Sequence, residues 1–530
     1  MAKPVVLIAE ELSPATVEAL GPDFDVRNVD GTDRPALLEA LKTAQAVLIR
    51  SATQMDAEAI AAGSNLVVIA RAGVGLDNVD IKAATQAGVM VVNAPTSNVI
   101  SAAELAIGHI LSLARHIPEA NASMKRGEWK RSKFTGVELY EKTIGIVGLG
   151  RIGALVAERL AGFGVTLIAF DPFVPPARAQ QLGVQMVDMD ELMRRSDFIT
   201  IHIPKTPETT GLIGAKEFAL AKPELRIVNA SRGGIIDEAA LADALAAGTI
   251  AGAGLDVFVS EPPVGSPLLD IATLQATPHL GASTDEAQEK AGIAVAKSTR
   301  LALSGELVPD AVNVAGGVIH ASVRPGLSLM EKLGQVFAGL AQHAIAAIDV
   351  EVRGEIAAHD VSVLKLAALK GVFSAISNDQ VSYVNAPLLA EQRGVAVRLV
   401  TEGVSDEYRN LLTIRGTLVD GSQISVAGTL TGAKQAEKIV GINGFEVEVP
   451  MAEHFIVMIY TDRPGIVAVY GREFGAHDIN IAGMQIARQR LGGEALSVLT
   501  VDSRVSDDVL DRVAAEIDAT MMKAIEVVEL

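Results

Sequence analysis

"TIGIVGLGRIG", residues 143–153, decides the fold of the chain. An apolar run reads as a buried strand, glycines follow at 148, 150 and 153, and "ALVAERLAGFG" then shows the apolar spacing of a helix. G-x-G-x-x-G is a weak pattern alone; between a strand and a helix it is specific. Gly148 permits a tight turn, Gly150 lets the backbone approach a pyrophosphate, and Gly153 lets helix and strand pack closely. The helix N-terminus offers unpaired N–H groups and a partial positive charge to phosphates. About 20 residues on, where such folds carry an acid, Asp171 closes the strand "VTLIAFD". Its carboxylate can accept from ribose hydroxyls and would repel a 2′-phosphate, which favours NAD over NADP.

Outward from this motif, short apolar runs alternate with helical stretches in both directions. "FITIHIP", "RIVNAS", "AGAGLDV" and "LQATPHL" follow it; "VVLIAE", "AVLIRS", "LVVIARAG" and "VMVVNAP" precede it. Such alternation predicts parallel sheets with crossover helices. A long helix is expected from Ser97 through Ile117, linking two lobes, and another after "GASTDEAQEK" to about Ser304. "GELVPDAVNV" then reads as a connection back to the first lobe. From about Gly317 to Pro450 the signals are mixed, with candidate strands "IDVEVRG", "TIRGTLV" and "SQISVAGTL" and no catalytic constellation. The last stretch reads β-α-β-β-α-β, a ferredoxin-like order. The expected fold class is α/β, with two Rossmann-like doubly wound lobes, then a mixed α+β domain and a ferredoxin-like domain. The expected boundaries are 1–98 (completed by 304–318), 99–303, 319–452 and 453–530.

A chain of 530 residues is too long for one core, and 49% apolar residues make wholesale disorder untenable. Acidic residues outnumber basic ones 64 to 45, for a net charge of -19, which disfavours nucleic acid and anionic membrane. The absence of cysteine excludes disulfides, thiolate chemistry and cysteine-based metal sites, and no metal is expected. The start "MAKPVVLIAEE" lacks a signal-peptide pattern, and the apolar stretches are broken too early to span a bilayer. A cytoplasmic protein is expected.

"RIVNASRGGIID", residues 226–237, delivers Arg232 into a glycine turn at a strand end. Ligands of doubly wound sheets sit at the carboxyl ends of strands. Glu261, in "GLDVFVSEPP", and His279, after "LQATP", lie near such ends too. Oxidising an alcohol removes a hydride and a proton. A neutral imidazole suits the proton, a carboxylate against its other nitrogen fixes the tautomer, and an arginine clamps a substrate carboxylate with parallel bonds. Taken singly, each residue has an ordinary structural reading; the triple downstream of the glycine motif carries the catalytic one.

Through "GLGRIG", "NASRGGIIDEAAL", "GLDVFVSEPP" and "TPHLGAST" the chain resembles the D-isomer-specific 2-hydroxyacid dehydrogenases. "RAGVGLDNVD", "NAPTSN" and the terminal domain make it similar to the long form that acts on 3-phosphoglycerate, with intervening and ACT domains. The resemblance implies His279 as acid/base, Glu261 as its support and Arg232 as a substrate ligand. It implies cofactor contacts at Gly148, Gly150, Arg151, Ile152, Gly153, Asp171, Ala230, Ser231, Arg232, Asp256, His279, Gly281 and Ala282. The first lobe is then the substrate lobe.

A phosphorylated 2-hydroxy acid needs further positive charge. Arg50, followed by Ser51, and Arg71 end consecutive strands, Gly73 and Gly75 allow close backbone approach, and "WKRSKF" adds Lys130, Arg131 and Lys133. The expected substrate set is Arg50, Ser51, Arg71, Gly73 and Lys133. "YTDRPGIVAVYGREFGAHDIN", residues 460–480, resembles an ACT domain, which binds amino acids between paired copies. That resemblance implies serine as effector at Tyr460, Asp462 and Asn480, in a homo-oligomer expected to be a tetramer. The expected reaction is NAD-dependent oxidation of D-3-phosphoglycerate to 3-phosphohydroxypyruvate, the first step of the phosphorylated route to L-serine. The alternatives are a dehydrogenase for 2-hydroxyglutarate, glycerate or lactate, or a non-catalytic NAD-sensing regulator.

Overall fold

The computed structural model describes residues 3–314, 319–377 and 381–528. Four sheets follow one another along the chain. The first contains β1 (Val5–Ile8), β2 (Asp25–Asn28), β3 (Ala46–Ile49), β4 (Val68–Arg71) and β5 (Met90–Val92), in the order β2-β1-β3-β4-β5 with every pair parallel. The second contains β6 (Thr143–Val147), β7 (Thr166–Phe170), β8 (Gln185–Met186), β9 (Phe198–Ile201), β10 (Arg226–Asn229), β11 (Gly252–Leu255) and β12 (Leu274–Ala276). Its order is β12-β11-β10-β9-β6-β7-β8, again all parallel. Central strands such as β3 and β9 are buried on both faces, as parallel strands covered by helices must be. β2 and β8 went unanticipated because "DVRN" and "QM" are half-exposed edge strands without an apolar run.

The expected helix from Ser97 through Ile117 is found at Val99–Arg115, and a second helix follows it. Val99–Arg115 ends where His116 turns left-handed at φ 51°, and Ile117–Lys125 restarts with a proline in its first turn. The first of these packs on Arg151–Ala161 and on β10 and β11. The helix Asp285–Leu303, placed by sequence in the second lobe, instead packs on Pro14–Leu20 and on β3, β4 and β5. Gly292 makes that crossing close: a Cβ there would fall 1.9 Å from Thr16 Oγ1. The connection after it does return to the first sheet, where Val312 N–H donates to Val91 O at 2.9 Å; residues 315–318 of that stretch lie outside the described residues.

The third sheet contains β13 (Ile345–Gly354), β14 (Ala396–Glu402), β15 (Asn410–Leu418), β16 (Gln423–Thr431), β17 (Ala436–Ile442) and β18 (Phe445–Pro450), in the order β14-β13-β15-β16-β17-β18. Helices Gly326–Leu340 and Ser362–Ile376 pack against each other beside it. The fourth contains β19 (His454–Thr461), β20 (Ile481–Arg488), β21 (Glu494–Val501) and β22 (Met521–Glu526), in the antiparallel ferredoxin-like order β20-β21-β19-β22. The third and fourth sheets share one core. Phe455, Val457, Leu496, Val498 and Ile525 cluster with Leu333, Phe337 and Ile414, and Gln335 exchanges two hydrogen bonds with the backbone of Val528. Among the described residues no helix is long and apolar enough to cross a membrane.

Candidate active site

At the carboxyl end of β6 the glycine turn has the required backbone. Gly148 sits at φ 91°, and a Cβ on it would fall 2.5 Å from Ile203 Cγ2 and 2.7 Å from His202 O. A Cβ on Gly153 would lie 2.0 Å from Gly148 O, so helix and turn meet only through glycine. Nothing lies within 4 Å of a Cβ position on Gly150, which leaves open space above that peptide. Gly150 is also the N-cap of Arg151–Ala161, and with no side chain to cap them the first N–H groups remain available to an anion. Asp171 follows β7 directly; its Oδ2 accepts from Leu149 N–H at 2.8 Å and its Oδ1 from Phe173 N–H at 2.9 Å. The carboxylate is thereby fixed beside the glycine turn, with a lone pair left on each oxygen. Open space at Gly150, free N–H groups and an oriented acid fit a dinucleotide.

The next loops carry the catalytic candidates. Asn229, buried at the end of β10, accepts from Ser231 N–H and Oγ–H at 3.0 and 2.7 Å and donates to Arg232 O at 2.8 Å. Gly233 lets this turn rest on the following loop, since a Cβ there would lie 1.9 Å from Phe258 O. Arg232 is thus held with its Nε 3.5 Å from Asp77 Oδ2, across the gap to the first lobe. Glu261 Oε1 accepts from Phe258 N–H at 3.0 Å, and its Oε2 stands 2.6 Å from His279 Nδ1. His279 adopts a left-handed φ of 54° and keeps 47% of its side chain exposed, leaving Nε2 available. A cavity of about 400 Å³ bounded by Phe258, Glu261, Pro262, Thr277 and His279 adjoins the pair.

The first lobe brings Arg50 and Arg71 to the same cleft. Glu10 Oε1 accepts from the backbone N–H of Arg50 and Thr53 at 2.8 and 2.9 Å and fixes the loop after β3. Arg71 Nε is shut off from solvent without a hydrogen-bond partner among the described residues. Burial, then the charge of Arg232, holds its guanidinium below the ordinary value; Arg50 pushes the same way, while Asp77 and Glu10 oppose. Gly73 leaves room for that guanidinium, as a Cβ there would lie 2.1 Å from Arg71 Nη1, and one on Gly75 would lie 2.2 Å from Arg232 Nη2. Ser51 is exposed beside Arg50. Within one chain no contact among the described residues brings Lys133 to them. Its turn, Arg131–Phe134, leads to Val137, whose N–H donates to Ala114 O at the far end of Val99–Arg115. The catalytic loop touches that helix at Ser101, roughly 20 Å away at 1.5 Å per residue.

A family model described as D-isomer specific 2-hydroxyacid dehydrogenase, NAD binding domain, matches residues 107–281, and one described as D-3-phosphoglycerate dehydrogenase intervening domain matches residues 322–443. The chain is 50% identical to D-3-phosphoglycerate dehydrogenase of Mycobacterium tuberculosis, over 99% of this chain and 100% of that protein. The chain belongs to the D-3-phosphoglycerate dehydrogenase family. It is 39% identical to the member from Methanocaldococcus jannaschii, over 96% of this chain and 97% of that one. Among solved structures it is similar to NAD-dependent formate dehydrogenase from Staphylococcus aureus in complex with NAD, at 32% identity and TM-score 0.52, over 59% of this chain and 100% of that one. The family makes this dehydrogenase an NAD-dependent oxidoreductase.

The remaining cofactor candidates of the dehydrogenase lie in the segments that follow β6, β10, β11 and β12 of the same sheet. Arg151 is exposed and reaches Pro95 O at 3.5 Å; Ile152, Ala230, Ser231 and Ala282 are half-buried. Asp256 is fully buried, with its carboxylate engaged by Thr277 Oγ1 at 2.6 Å and by Leu280 and Gly281 N–H at 2.7 and 2.8 Å. It therefore holds the His279 loop from beneath.

The effector candidates of the dehydrogenase do not converge within one chain. Tyr460 is buried, with its hydroxyl 2.7 Å from Ser497 Oγ. Asp462 Oδ2 accepts from Arg488 Nη1 at 3.1 Å, and Asn480 donates to Asp502 at 2.7 Å. Asp462 follows Thr461, which pairs Glu494, whereas Asn480 precedes Ile481, which pairs Val501. At about 3.3 Å per strand residue the two stand some 20 Å apart.

Sequence reasoning missed Glu10, Asp77 and His109. Glu10 and Asp77 lie in the strand-end stretches "LIAEE" and "RAGVGLD", where acids next to arginines were the available signal. His109 gave none, being one histidine on an apolar helix face.

Proposed function

We propose that the chain oxidises D-3-phosphoglycerate to 3-phosphohydroxypyruvate, the first step of the phosphorylated route to L-serine. The observation that carries this substrate is the arginine group. A guanidinium with an unpartnered, buried Nε, repelled by Arg232 and Arg50, is an arrangement that an anionic ligand relieves. Lactate and glycerate bring a single carboxylate; a phosphorylated hydroxy acid brings a second anionic group for the second lobe of the cleft. The relatives' shared name supports the same substrate.

When bound, NAD supplies the hydride acceptor for the substrate carbon that bears the hydroxyl. The residues do the rest. Arg232 anchors the carboxylate through charge-assisted bonds, and Arg50 and Arg71 hold the phosphate. His279 Nε2 takes the hydroxyl proton, because Nδ1 keeps its own proton toward Glu261, which also stabilises the imidazolium that forms. The N–H groups after Gly150 receive the pyrophosphate, and Asp171 the ribose hydroxyls. Serine control of a cytoplasmic tetramer completes the reading. Its support is the separation of Asp462 from Asn480, which a second copy alongside would bridge.

The test is steady-state kinetics with NAD on D-3-phosphoglycerate, glycerate, lactate and 2-hydroxyglutarate. A kcat/KM for the phosphorylated substrate at least tenfold above the others is expected. Equal or better use of a plain hydroxy acid would overturn the substrate assignment.

A further inference from the structure

The helix Val99–Arg115 reaches the catalytic loop through a buried polar chain. His109, 5% exposed, sets Nε2 at 3.0 Å from Thr277 Oγ1, and Thr277 Oγ1 donates to Asp256 Oδ1 at 2.6 Å. Asp256 is fully buried, and its two oxygens accept from Leu280 and Gly281 N–H, while its backbone O accepts from His279 N–H at 2.9 Å. The left-handed backbone of His279 is costly for a residue with a Cβ and persists only where surrounding bonds dictate it. Its own N–H is held by Asp256 O and Thr277 O, and the next two N–H groups by the Asp256 carboxylate.

The proton count fixes the direction of the chain. A carboxylate only accepts, so the single Thr277 proton goes to Asp256, and the hydroxyl can meet His109 only by accepting from it. His109 must therefore carry its proton on Nε2. Burial pushes its imidazole below the ordinary value, against the opposing charge of Asp256, and so favours the neutral ring. The ring also has a made space: a Cβ on Gly254, in β11, would sit 3.0 Å from His109 Nδ1. "AGAGL" is thus glycine-rich where the helix inserts an imidazole against the sheet.

We propose that His109 and Thr277 are positioning residues for the reaction: the Nε2–H of His109, relayed through Thr277 and Asp256, sets the backbone that presents His279 to substrate. This rests on His279 being the acid–base group. It predicts that the donor, and not the bulk of the ring, matters at position 109, and that the hydroxyl matters at 277.

Four variants test it, with His279→Ala as the control on the underlying assignment. Gln places an amide N–H near the imidazole Nε2, so His109→Gln should keep kcat within about threefold of wild type. His109→Leu should lower kcat on the order of 10- to 100-fold, as a displaced acid–base group does. KM for NAD should stay within about twofold. Thr277→Ser should behave like His109→Gln, and Thr277→Val like His109→Leu. Thermal midpoints separate misfolding from misplacement, and the threonine pair, which barely changes volume, decides if the leucine variant does not fold. Equal kcat for Val and Ser at 277, with His279→Ala inactive, would overturn the relay and leave the catalytic assignment standing. Activity in His279→Ala would instead overturn the assignment on which the relay rests.

Discussion

Glu261 grips His279 with one oxygen, 2.6 Å from Nδ1, while its other oxygen is tied to the N–H of Phe258 at 3.0 Å. The carboxylate cannot rotate away without breaking both bonds, so the imidazole is oriented before substrate arrives. His279→Ala should lower turnover by about a hundred- to ten-thousand-fold, the usual cost of losing a general acid–base group. NAD affinity, read by nucleotide fluorescence titration, should hold. Glu261→Gln should fall between that variant and wild type, because an amide oxygen can still accept from Nδ1–H but brings no charge. Turnover of His279→Ala within a few-fold of wild type would remove it from the mechanism.

Arg71 presents an unusual combination for a largely enclosed cation: a donor without a hydrogen-bond partner among the described residues and like charges nearby. Arg71→Ala should raise KM for the phosphorylated substrate by roughly 10- to 100-fold, the worth of a charge-assisted bond. KM for a non-phosphorylated analogue should change far less. Its thermal midpoint without ligand should fall little, since burial and the charges of Arg232 and Arg50 outweigh the attraction of Asp77 and Glu10 for the lost group. A large drop in midpoint with both substrates equally affected would make Arg71 a structural residue.

The imidazole of His202 is enclosed by neighbouring atoms, although part of the residue still meets solvent, and desolvation lowers it from 6.5 to about 4. Its Nε2 lies 2.9 Å from Thr200 Oγ1 beside the glycine turn. The folded chain therefore resists a proton that the unfolded chain takes up. Stability from this group is intact above about 6.5 and is lost as pH falls toward about 4. Denaturant midpoints between pH 7 and pH 4.5, settings on the order of those two values, should decline less steeply in His202→Gln than in wild type. Part of the slope should survive in the variant, because buried His109 is shifted the same way. Parallel curves would assign the acid sensitivity to other groups.

Serine, as the proposed effector, is best tested at one carboxylate. Removing residues 453–530 would strip Phe455, Val457, Leu496 and Ile525 from a core shared with the preceding sheet, so truncation would confound regulation with unfolding. Asp462→Ala instead deletes an acid that already faces Arg488. Calorimetric serine binding should weaken at least tenfold in that variant, with uninhibited turnover unchanged. Full inhibition in Asp462→Ala would place any serine site elsewhere.

The parallel sheets and the glycine turn were legible because each rests on local spacing: apolar runs at strand length, glycines at fixed offsets, Asp171 after the second strand. His279 and Glu261 were legible as strand-end residues, though their 2.6 Å meeting depends on loops whose paths no periodicity encodes. Within one chain Lys133 is not brought to the cleft, because charge near other charge in sequence says nothing about which end of a long helix a turn folds against. The helix Asp285–Leu303 was misassigned for a related reason. Its apolar face specifies burial, and either parallel sheet could have provided the partner. The shared core of the last two sheets was illegible likewise, since the apolar runs of β19 and β21 predict burial without naming what covers each face.

The exchange of that helix has a mechanical consequence. The chain passes from the first sheet to the second before Val99 and back again between Gly281 and Asp285, and Ser101 Oγ donates to Gly281 O at 3.0 Å where the two passages meet. Two bodies joined by a single thread can twist, slide and tilt. Joined by two connections that meet at one pinned point, they would turn most easily about that point, like the leaves of a door. Ser101 and Gly281 mark that point, and His279 lies two residues from it. A swing about that point would carry Arg50 and Arg71, on the opposite leaf, past a histidine that stays near it.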